Sequence, residues 1–410
     1  MRPIKPCNAR AGLAVSLLAA CAAVPGGAAP QGNLDAPVRA IVEGNRKFAL
    51  SLYSELRGQT GNLFLSPFSI STALSMACSG ARGQTADQMA AVLRLPSDCA
   101  QSVSGFSALV RELQSVAHAG AYQLNIANGL WSEKDFPFLP DFMSSLRSGY
   151  GAEIEELDFI HKTEAARATI NSWVERRTEG RIKDLFPQGT LNSTTRLVLA
   201  NAIYFKGKWA ASFKSAETGD APFTASGNRK ITVRMMRQTG RFGYLEGGDF
   251  QVLEMPYQSE KLAMDVFLPR KVDGLDEFER ELAPEKLSAW LTKLHRESVQ
   301  VALPKFKTTS SFGLNSILAA MGMSLAFSRH ADFTGMSVRG KELFLSAVVH
   351  KAYADVNEEG TEAAAATGVG VATKSVMRTI EFRADHPFFF LIRDVASGAM
   401  LFMGRVENPS

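Results

Sequence analysis

A 22-residue segment, Asn357–Arg378, places the strongest limit on how this chain can fold. It has no aromatic residue, no amphipathic period, three glycines and a run of four alanines, Ala363–Ala366. Strand-like patterns lie on both sides of it, at Leu343–Asn357 and Thr379–Phe382. A structureless loop of about 20 residues is uncommon inside a compact domain unless it is functional. Two interpretations follow: a surface connection with a frayed helix at Thr361–Ala366, or a strip narrow enough to enter a sheet.

The body of the chain, Val38–Ser410, reads as one α+β domain because helical periods gather early and strand patterns late, with no linker between them. Ser66-Pro67 ends an extended piece, and Ser69 is predicted to cap the next helix. The predicted helices are Val38–Arg57, Ser69–Gly80, Thr85–Leu93, Ser102–His118 and Lys162–Gly180. The clearest predicted strands are Tyr122–Trp131, Leu197–Phe205, Lys230–Met236, Gly240–Leu245, Gln251–Pro256, Lys261–Leu268, Val299–Pro304, Phe388–Arg393 and Ala399–Val406.

The first 37 residues are predicted to be a leader and a tether rather than part of the fold. Residues 1–20 combine a basic start with an apolar run that is too short to span a bilayer, as in a secretory signal peptide. Leu18-Ala19-Ala20-Cys21 resembles a bacterial lipoprotein cleavage box, in which Cys21 would carry the lipid. Ordinary cleavage near Ala28-Ala29 is the alternative. Residues 21–37 are rich in Gly, Pro and Ala and predict a flexible tether, so we expect an exported protein.

Charge argues against a nucleic-acid partner. Lys and Arg number 45 against 41 Asp and Glu, a formal charge of +4, and three of the cations lie in residues 1–20 without any acid. The body is therefore nearly neutral and lacks a basic footprint. With 46% hydrophobic and 21% charged residues, the chain is also neither disordered nor a multi-span membrane protein. We expect a monomer that contacts membranes only through Cys21.

The motifs of common catalytic and metal sites are missing. There is no GxSxG, no P-loop and no HExxH, and no two of the six histidines lie within five residues of each other. We therefore predict no metal and no cofactor. Outside the leader only Cys78 and Cys99 remain. Because Cys78 lies in an apolar helical run, a buried free thiol is expected there, with one disulfide as the alternative.

Five motifs in order resemble the serpins, the serine protease inhibitor superfamily. Glu358–Thr367 (EEGTEAAAAT) is similar to the hinge of their reactive-centre loop. Asn62–Ile70 is similar to the start of their buried helix, and Leu199–Trp209 to their central strand. Ala384–Phe388 and Leu401–Val406 are similar to their C-terminal strands. The resemblance implies about nine helices, a large central β-sheet, two smaller sheets and an exposed loop over about residues 357–378.

The resemblance also implies a function as bait for a protease. A target serine protease attacks the loop and forms an acyl-enzyme, and the cut loop then inserts into the central sheet as an extra strand. The attached protease is dragged along and distorted, which leaves a covalent dead-end complex. The native state is metastable, and insertion releases stored free energy in one irreversible step. The protein would then be an inhibitor and not an enzyme.

The hinge residues gain roles from this match. Gly360 would relax the backbone where the loop turns into the sheet, and Glu362 would face outward. The inward-facing set is small throughout, which favours an inhibitory member, since a buried charge or proline would block insertion. That set is Thr361, Ala363, Ala365 and Thr367. The whole predicted hinge is Glu358, Glu359, Gly360, Thr361, Glu362, Ala363, Ala364, Ala365, Ala366 and Thr367.

The family's usual hinge spacing puts the cut bond at Lys374-Ser375. Lys374 would then fit the acidic pocket of a trypsin-like protease. Arg378-Thr379 is the rival and needs a hinge four residues longer, and cleavage at Val376 or Met377 would imply another protease class.

Further residues match positions that control the conformation of the family fold, and none of them is catalytic. Ser66, Ser69, Asn201 and His350 match a buried polar cluster beneath the centre of the main sheet. Trp209, Glu358 and Lys305 match the top of the sheet where insertion begins, with an ion pair expected between Glu358 and Lys305.

The alternatives to a trypsin inhibitor are a non-inhibitory binding or chaperone-type serpin and an inhibitor of cysteine, elastase-like or subtilisin-like proteases. No catalytic motif in the sequence supports a hydrolase.

Overall fold

The computed structural model describes residues 35–96, 98–118, 122–361 and 379–410. Several predictions fall outside these residues: the leader with Cys21, the hinge from Glu362 through Ala363, Ala364, Ala365 and Ala366 to Thr367, the bond Lys374-Ser375, and Arg378. Glu358, Glu359, Gly360, Thr361 and Thr379 lie within the described part.

Nine α-helices occur in the described residues. Their bounds are α1 Ala36–Leu56, α2 Pro67–Ser79, α3 Gly83–Leu93, α4 Cys99–His118, α5 Pro140–Tyr150, α6 Phe159–Arg177, α7 Leu275–Glu281, α8 Pro284–Thr292 and α9 Asn315–Leu318. The five helices predicted from apolar periodicity correspond to α1–α4 and α6, whereas the shorter α5 and α7–α9 were not predicted. Helix α6 begins three residues before its predicted start because the Asp158 carboxylate accepts the His161 N–H and caps it.

The strands are β1 Leu63–Leu65, β2 Gln123–Glu133, β3 Glu153–Leu157, β4 Leu197–Lys208, β5 Gly219–Ala225, β6 Arg229–Glu246, β7 Phe250–Pro256, β8 Leu262–Pro269, β9 His295–Pro304, β10 Phe306–Gly313, β11 Leu345–Asn357, β12 Gly360–Thr361, β13 Ile380–Arg383, β14 Phe388–Asp394 and β15 Met400–Val406. They form two sheets, of six and nine strands.

The six-stranded sheet, which we call the central sheet, runs β3-β2-β4-β11-β10 with β12 held between β4 and β11 at one end. Below β12, β4 and β11 pair directly and in parallel, from Leu197 with Leu345 to Tyr204 with Tyr353. Every other pairing of β4 and β11 in this sheet is antiparallel. We call the parallel β4–β11 pairing the seam, and the end at which β12 lies between the two strands its open end.

The other nine strands form one continuous sheet. Strand β6 is 18 residues long and pairs with β5, β9 and β7 in turn, so it joins the two smaller sheets that the resemblance implied. The main hydrophobic core lies between this sheet and the central sheet and includes α2. A smaller core on the opposite face of the central sheet is formed by α6. The α+β class and the fold implied by the resemblance are confirmed.

The cap of α2 corrects one prediction. The helix begins at Pro67 rather than Ser69, and Ser66 is its N-cap because the Ser66 hydroxyl accepts the Ser69 N–H at 3.1 Å. Proline suits the first helical position, which has no need of an N–H donor. Since all residues from Pro67 to Cys78 are buried, α2 has no solvent-facing side and shows little helical amphipathicity.

The expected free thiol at Cys78 is also wrong. Cys78, at the end of α2, forms a disulfide with Cys99, the first residue of α4, with the two Cα atoms 5.2 Å apart. The spacing of the two cysteines in the sequence could not reveal this bridge. It depends on how α3, which lies between them, directs the chain back to α2.

Candidate functional site

The open end of the seam holds the first residues of the predicted hinge. Gly360 pairs with Lys208 on β4 and with Asn357 on β11, and Thr361 pairs with Gly207 and Val356. Thr361 is 1% exposed. Gly360 and Thr361 therefore already occupy a strand position between β4 and β11 at this end of the sheet.

Glycine is required at position 360 by close approach. A Cβ atom there would lie 1.9 Å from the carbonyl oxygen of Gly207 and 2.7 Å from the Cα of Lys208. The backbone φ of Gly360 is +155°, which also disfavours a side chain. No larger residue fits at this position while the strand stays between β4 and β11.

An aromatic wall holds Thr361 on the buried side. The Tyr257 hydroxyl and the Thr361 hydroxyl lie 2.8 Å apart in a buried hydrogen bond. The Tyr257 ring stacks on Trp209 at 4.8 Å and meets the edge of Phe205 at 5.1 Å. Burial raises the pKa of Tyr257 far above its ordinary value, so the hydroxyl keeps its proton. Tyr257 was missed from the sequence, since nothing in its local pattern distinguishes it from a core residue.

Trp209 fixes the turn that leads into β12. Its indole N–H donates to the Asn357 carbonyl at 3.0 Å, and its backbone N–H donates to the Glu359 carbonyl at 2.8 Å. The Phe213 N–H donates to the Glu358 carbonyl at 2.8 Å, and the Glu359 N–H donates to the Asn357 side chain. The backbone of residues 357–359 is thus bound at three carbonyls by the segment that follows β4.

Glu358 and Lys305 form the expected ion pair, with 2.7 Å between Oε2 and Nζ. Burial by itself would raise the pKa of Glu358, but hydrogen bonds, chiefly from Lys305, outweigh it and hold that pKa below its ordinary value. The carboxylate is largely shielded, with 13% of the side chain exposed, whereas Lys305 is 39% exposed. The pair orients the turn and adds little to stability, because Lys305 remains in contact with water.

Midway down the seam, three polar side chains lie on one rung of the sheet. Asn128 on β2 pairs with Asn201 on β4, which pairs with His350 on β11. The Asn201 amide donates to Asn128 Oδ1 at 2.5 Å and to the Ser69 hydroxyl at 2.6 Å, and its Oδ1 faces His350 Nδ1 at 2.5 Å. We call these residues, together with Ser66 and Ser69, the polar rung.

The hydrogen bonds of the polar rung fix the protonation of His350. Since both amide hydrogens of Asn201 are donated elsewhere, its Oδ1 must accept from Nδ1–H of His350. His350 Nε2 then accepts the Ser66 N–H at 3.1 Å, while the Ser66 hydroxyl donates to Leu401 on β15 at 2.6 Å. Complete burial lowers the pKa of His350 to about 3, so the ring is neutral.

The structure thus brings the predicted control residues together in two groups. The polar rung contains Ser66, Ser69, Asn201 and His350. The open end contains Trp209, Glu358, Glu359, Gly360, Thr361 and Lys305. Asn128 belongs with the first group and was missed. An asparagine inside an alternating strand pattern was the available signal. In the described part of the chain no group of three His, Cys, Asp or Glu side chains could hold a metal ion. No helix described here is both long and apolar enough to cross a bilayer.

Comparison with known proteins gives the same assignment over almost the whole body. The profile of the family Serpin (serine protease inhibitor) matches residues 43–409. The leukocyte elastase inhibitor of Xenopus tropicalis is 44% identical over 372 residues, which are 88% of this chain and 97% of that protein. Its human counterpart is 42% identical over 377 residues, covering 89% and 98%.

Solved structures of similar fold include uncleaved ovalbumin, with a TM-score of 0.82 and 34% identity over 90% of this chain and all of ovalbumin. Human thyroxine-binding globulin in complex with thyroxine gives a TM-score of 0.84 at 30% identity, covering 92% of this chain and all of that protein.

Proposed function

Because the chain belongs to the serpin family, we propose that it is a suicide-substrate inhibitor of serine proteases that inserts its cut loop between β4 and β11. The observation that carries the proposal is the position of β12. Gly360 and Thr361 already lie between these two strands, antiparallel to both, so the inserted strand has only to lengthen.

The register of β12 supports this route. Extending β12 residue by residue, with unchanged pairing to β4, would bring Thr367 opposite Asn201. Extending its pairing to β11 would bring Thr367 opposite His350. Both flanking strands give the same answer independently. Side chains alternate in a strand, so Thr367 would point to the same buried face as Thr361.

The polar rung would exchange partners during this step. Separation of β4 from β11 breaks the hydrogen bond between Asn201 and His350, which would leave two buried polar groups unpaired. The Thr367 hydroxyl can both donate and accept, so it could satisfy the two groups that it separates. An alanine at position 367 could not satisfy them. The hydroxyl therefore gives a physical reason for a threonine at position 367 in an otherwise alanine-rich strip.

In the proposed reaction the inhibitor contributes only the peptide bond that is cut and no other reacting group. The protease serine oxygen would attack the carbonyl carbon of Lys374, and the C–N bond to Ser375 would break. The new amine takes the proton that the serine gave up, and Lys374 is left as an ester on the protease. Insertion before water reaches that ester would trap the enzyme.

Strand length favours Lys374 over Arg378 as the residue at the cut. Strand β4 has 12 residues, and the register above would bring residue 371 opposite Leu197 at its far end. Lys374 would follow three residues later, roughly 10 Å of extended chain. Arg378 would leave seven residues, roughly 24 Å, and hold the protease too loosely to press it against the body.

Lys374 points to a trypsin-like target, whereas the relatives point elsewhere. Two of them are named leukocyte elastase inhibitors, which favours an elastase-like target as the second candidate. Such an enzyme would cut beside a smaller apolar residue, for which Val376 and Met377 are available. Fold alone does not decide for inhibition, since thyroxine-binding globulin shares it. The small inward-facing hinge residues argue against a purely binding or chaperone-type role.

The leader supports export as a further part of the proposal. Residues 1–20 would direct secretion and Cys21 would receive a lipid anchor. The disulfide between Cys78 and Cys99 is consistent with an oxidising compartment. The frog and human relatives reported above give no support to a bacterial origin, which therefore rests on the cleavage box alone. Mass analysis of the membrane fraction from cells making the full chain tests this part. Loss of the lipid in Cys21→Ala is expected, and an unmodified wild-type Cys21 would contradict the anchor.

The direct test is to mix the body from about residue 31 with trypsin and, separately, with leukocyte elastase. A complex that survives SDS at the summed mass, with a released peptide that begins at Ser375, is the expected result with trypsin. A peptide that begins at Thr379 would move the cut to Arg378. Clean cleavage by both enzymes, with each fully active afterwards, would overturn the inhibitory function.

A further inference from the structure

The outer face of the central sheet carries a basic groove that the inhibitory mechanism does not use. It has a cavity volume of about 760 Å³ and is lined by the ends of α4 and α6, the first residues of β2 and the last residues of β4. Four cations line it: Arg176, Arg177, Lys206 and Lys208. Glu179 is the single carboxylate among the lining residues.

The single acid does not neutralise these cations. Glu179 accepts a hydrogen bond from the Gln123 amide, which fixes it at the rim. Arg177 is engaged elsewhere, with Glu153 at 3.7 Å and the Trp173 ring beneath its guanidinium. Among the described residues, no carboxylate lies within ion-pair distance of Arg176, Lys206 or Lys208. Three cations therefore line one groove without an ion-pair partner among the described residues, and Glu179 is the one acid in it.

Backbone pairing explains why the two lysines act together. Lys206 and Lys208 are two residues apart on β4, so their side chains point to the same face about 7 Å from each other. Lys206 pairs across the sheet with Gln123, and four side-chain amides line the same groove. The cations would pair with charged oxygens of a ligand, and the amides would donate hydrogen bonds to its ester or hydroxyl oxygens. Together they suit a ligand rich in anionic oxygens.

A purely structural role accounts for only part of the cluster. Arg176 and Arg177 lie in the last turn of α6, where cations offset the helix dipole. Lys206 and Lys208 lie on a strand and compensate no dipole, and an anion bound between them would offset their mutual repulsion.

We infer that this groove binds a small polyanion with two or three phosphate or sulfate groups, held by Arg176, Lys206 and Lys208. The volume suits a compact molecule, since small-molecule sites are usually 300–1,000 Å³. The ligand would join the end of α6 to the floor formed by β2 and β4.

Such a ligand would also restrain the sheet, a consequence that rests on the proposed function. Helix α6 packs on both sides of the seam, because its Ile170 and Val174 share one buried cluster with Ala200 on β4 and Val349 on β11. Entry of a strand between β4 and β11 must therefore change how α6 sits on β4. A ligand that joins α6 to β4 binds the closed arrangement better and by linkage slows insertion.

Isothermal titration of the purified body at low salt tests the site, with tripolyphosphate and a trisulfated disaccharide as the two probes. We expect one molecule per chain for at least one probe, and their relative affinities tell phosphate from sulfate. The double variant Arg176→Gln/Lys206→Gln should bind at least about tenfold more weakly. Arg229→Gln/Lys230→Gln, which removes two exposed cations from β6, is the matched control and should keep wild-type affinity.

No heat with either probe at millimolar concentration would overturn the site, and so would equal weakening in both double variants. The regulatory consequence has its own readout, the rate of covalent complex formation with the target protease. A probe concentration that saturates the wild type should slow it about fivefold or more and should slow Arg176→Gln/Lys206→Gln clearly less. A bound probe with no effect on the rate would overturn the restraint. Failure to form any complex would count against the proposed function, while titration would still decide the site.

Discussion

His350 and Asn201 are hydrogen-bonded side chain to side chain across the seam, and they belong to the two strands that the proposed insertion would separate. Each also binds α2: His350 accepts the Ser66 N–H, and Asn201 donates to Ser69. The same two residues that join the strands therefore also anchor the sheet to the buried helix. Opening the seam must break the bond between the strands but can leave the bonds to α2 in place.

Acid should weaken the native state through His350. Its pKa is about 3 in the fold, because of burial, and about 6.5 when the chain is unfolded. Between these values the unfolded chain binds more protons, so stability is complete above pH 6.5 and falls as pH decreases. About 2 kcal/mol should be lost by pH 5. Urea unfolding at several pH values measures this.

The variant His350→Gln should show a flatter pH dependence, and His330→Gln, at an exposed histidine, should behave like the wild type. An unchanged slope in His350→Gln would mean that other groups cause the acid sensitivity.

Arginine at position 361 should turn the inhibitor into a substrate. Thr361 is 1% exposed beside Tyr257, and a buried guanidinium without a partner would not be tolerated there. Thr361→Arg should therefore be cut by trypsin and leave the enzyme active. Residual trypsin activity after incubation is the measurement, and Thr292→Arg, on the exposed face of α8, is the control. Wild-type inhibition by Thr361→Arg would contradict insertion at this position.

The hydroxyl pair of Tyr257 and Thr361 should contribute about 1 kcal/mol to native stability. A double-mutant cycle isolates it: Tyr257→Phe and Thr361→Ala should each destabilise the protein, and the double variant should lose less than the sum. The free energy of unfolding in urea is the readout. Additive losses would show that the two hydroxyls are not coupled and that the hinge is not held there in solution.

Removal of the disulfide should lower stability by roughly 2–4 kcal/mol, the range expected for a bridge across a loop of this length. The variant Cys78→Ala/Cys99→Ala tests this by urea unfolding without reductant. The wild type with excess reductant, unfolded and refolded, should approach the variant. Two free thiols in the oxidised native protein, counted by alkylation and mass analysis, would contradict the bridge.

The sequence was sufficient to predict features that depend on a short stretch of residues. The apolar period predicted α1–α4 and α6. The small, aromatic-free strip left a surface connection and a strand that enters a sheet both open, and residues 362–378 of it lie outside the described residues. Ser66 rather than Ser69 caps α2, as the proline that follows Ser66 at the first helical position indicates. The short helices α7 and α8 have too few turns to show a clear period.

Long-range pairing was beyond the sequence. Tyr257 meets Thr361 across 104 positions, and Asn128 meets Asn201 across 73, so only strand register brings these side chains together. The bridge between Cys78 and Cys99 likewise depends on how α3 turns. The resemblance supplied four residues of the polar rung, and physical pattern alone would have supplied none.

The most direct test of the central claim is a crystal structure of the chain after cleavage at Lys374. We predict that residues 360–371 form a strand between β4 and β11, with the Thr367 hydroxyl within hydrogen-bond distance of His350 or Asn201. A cleaved chain in which β4 and β11 still pair directly, or in which another residue faces His350, would contradict the account.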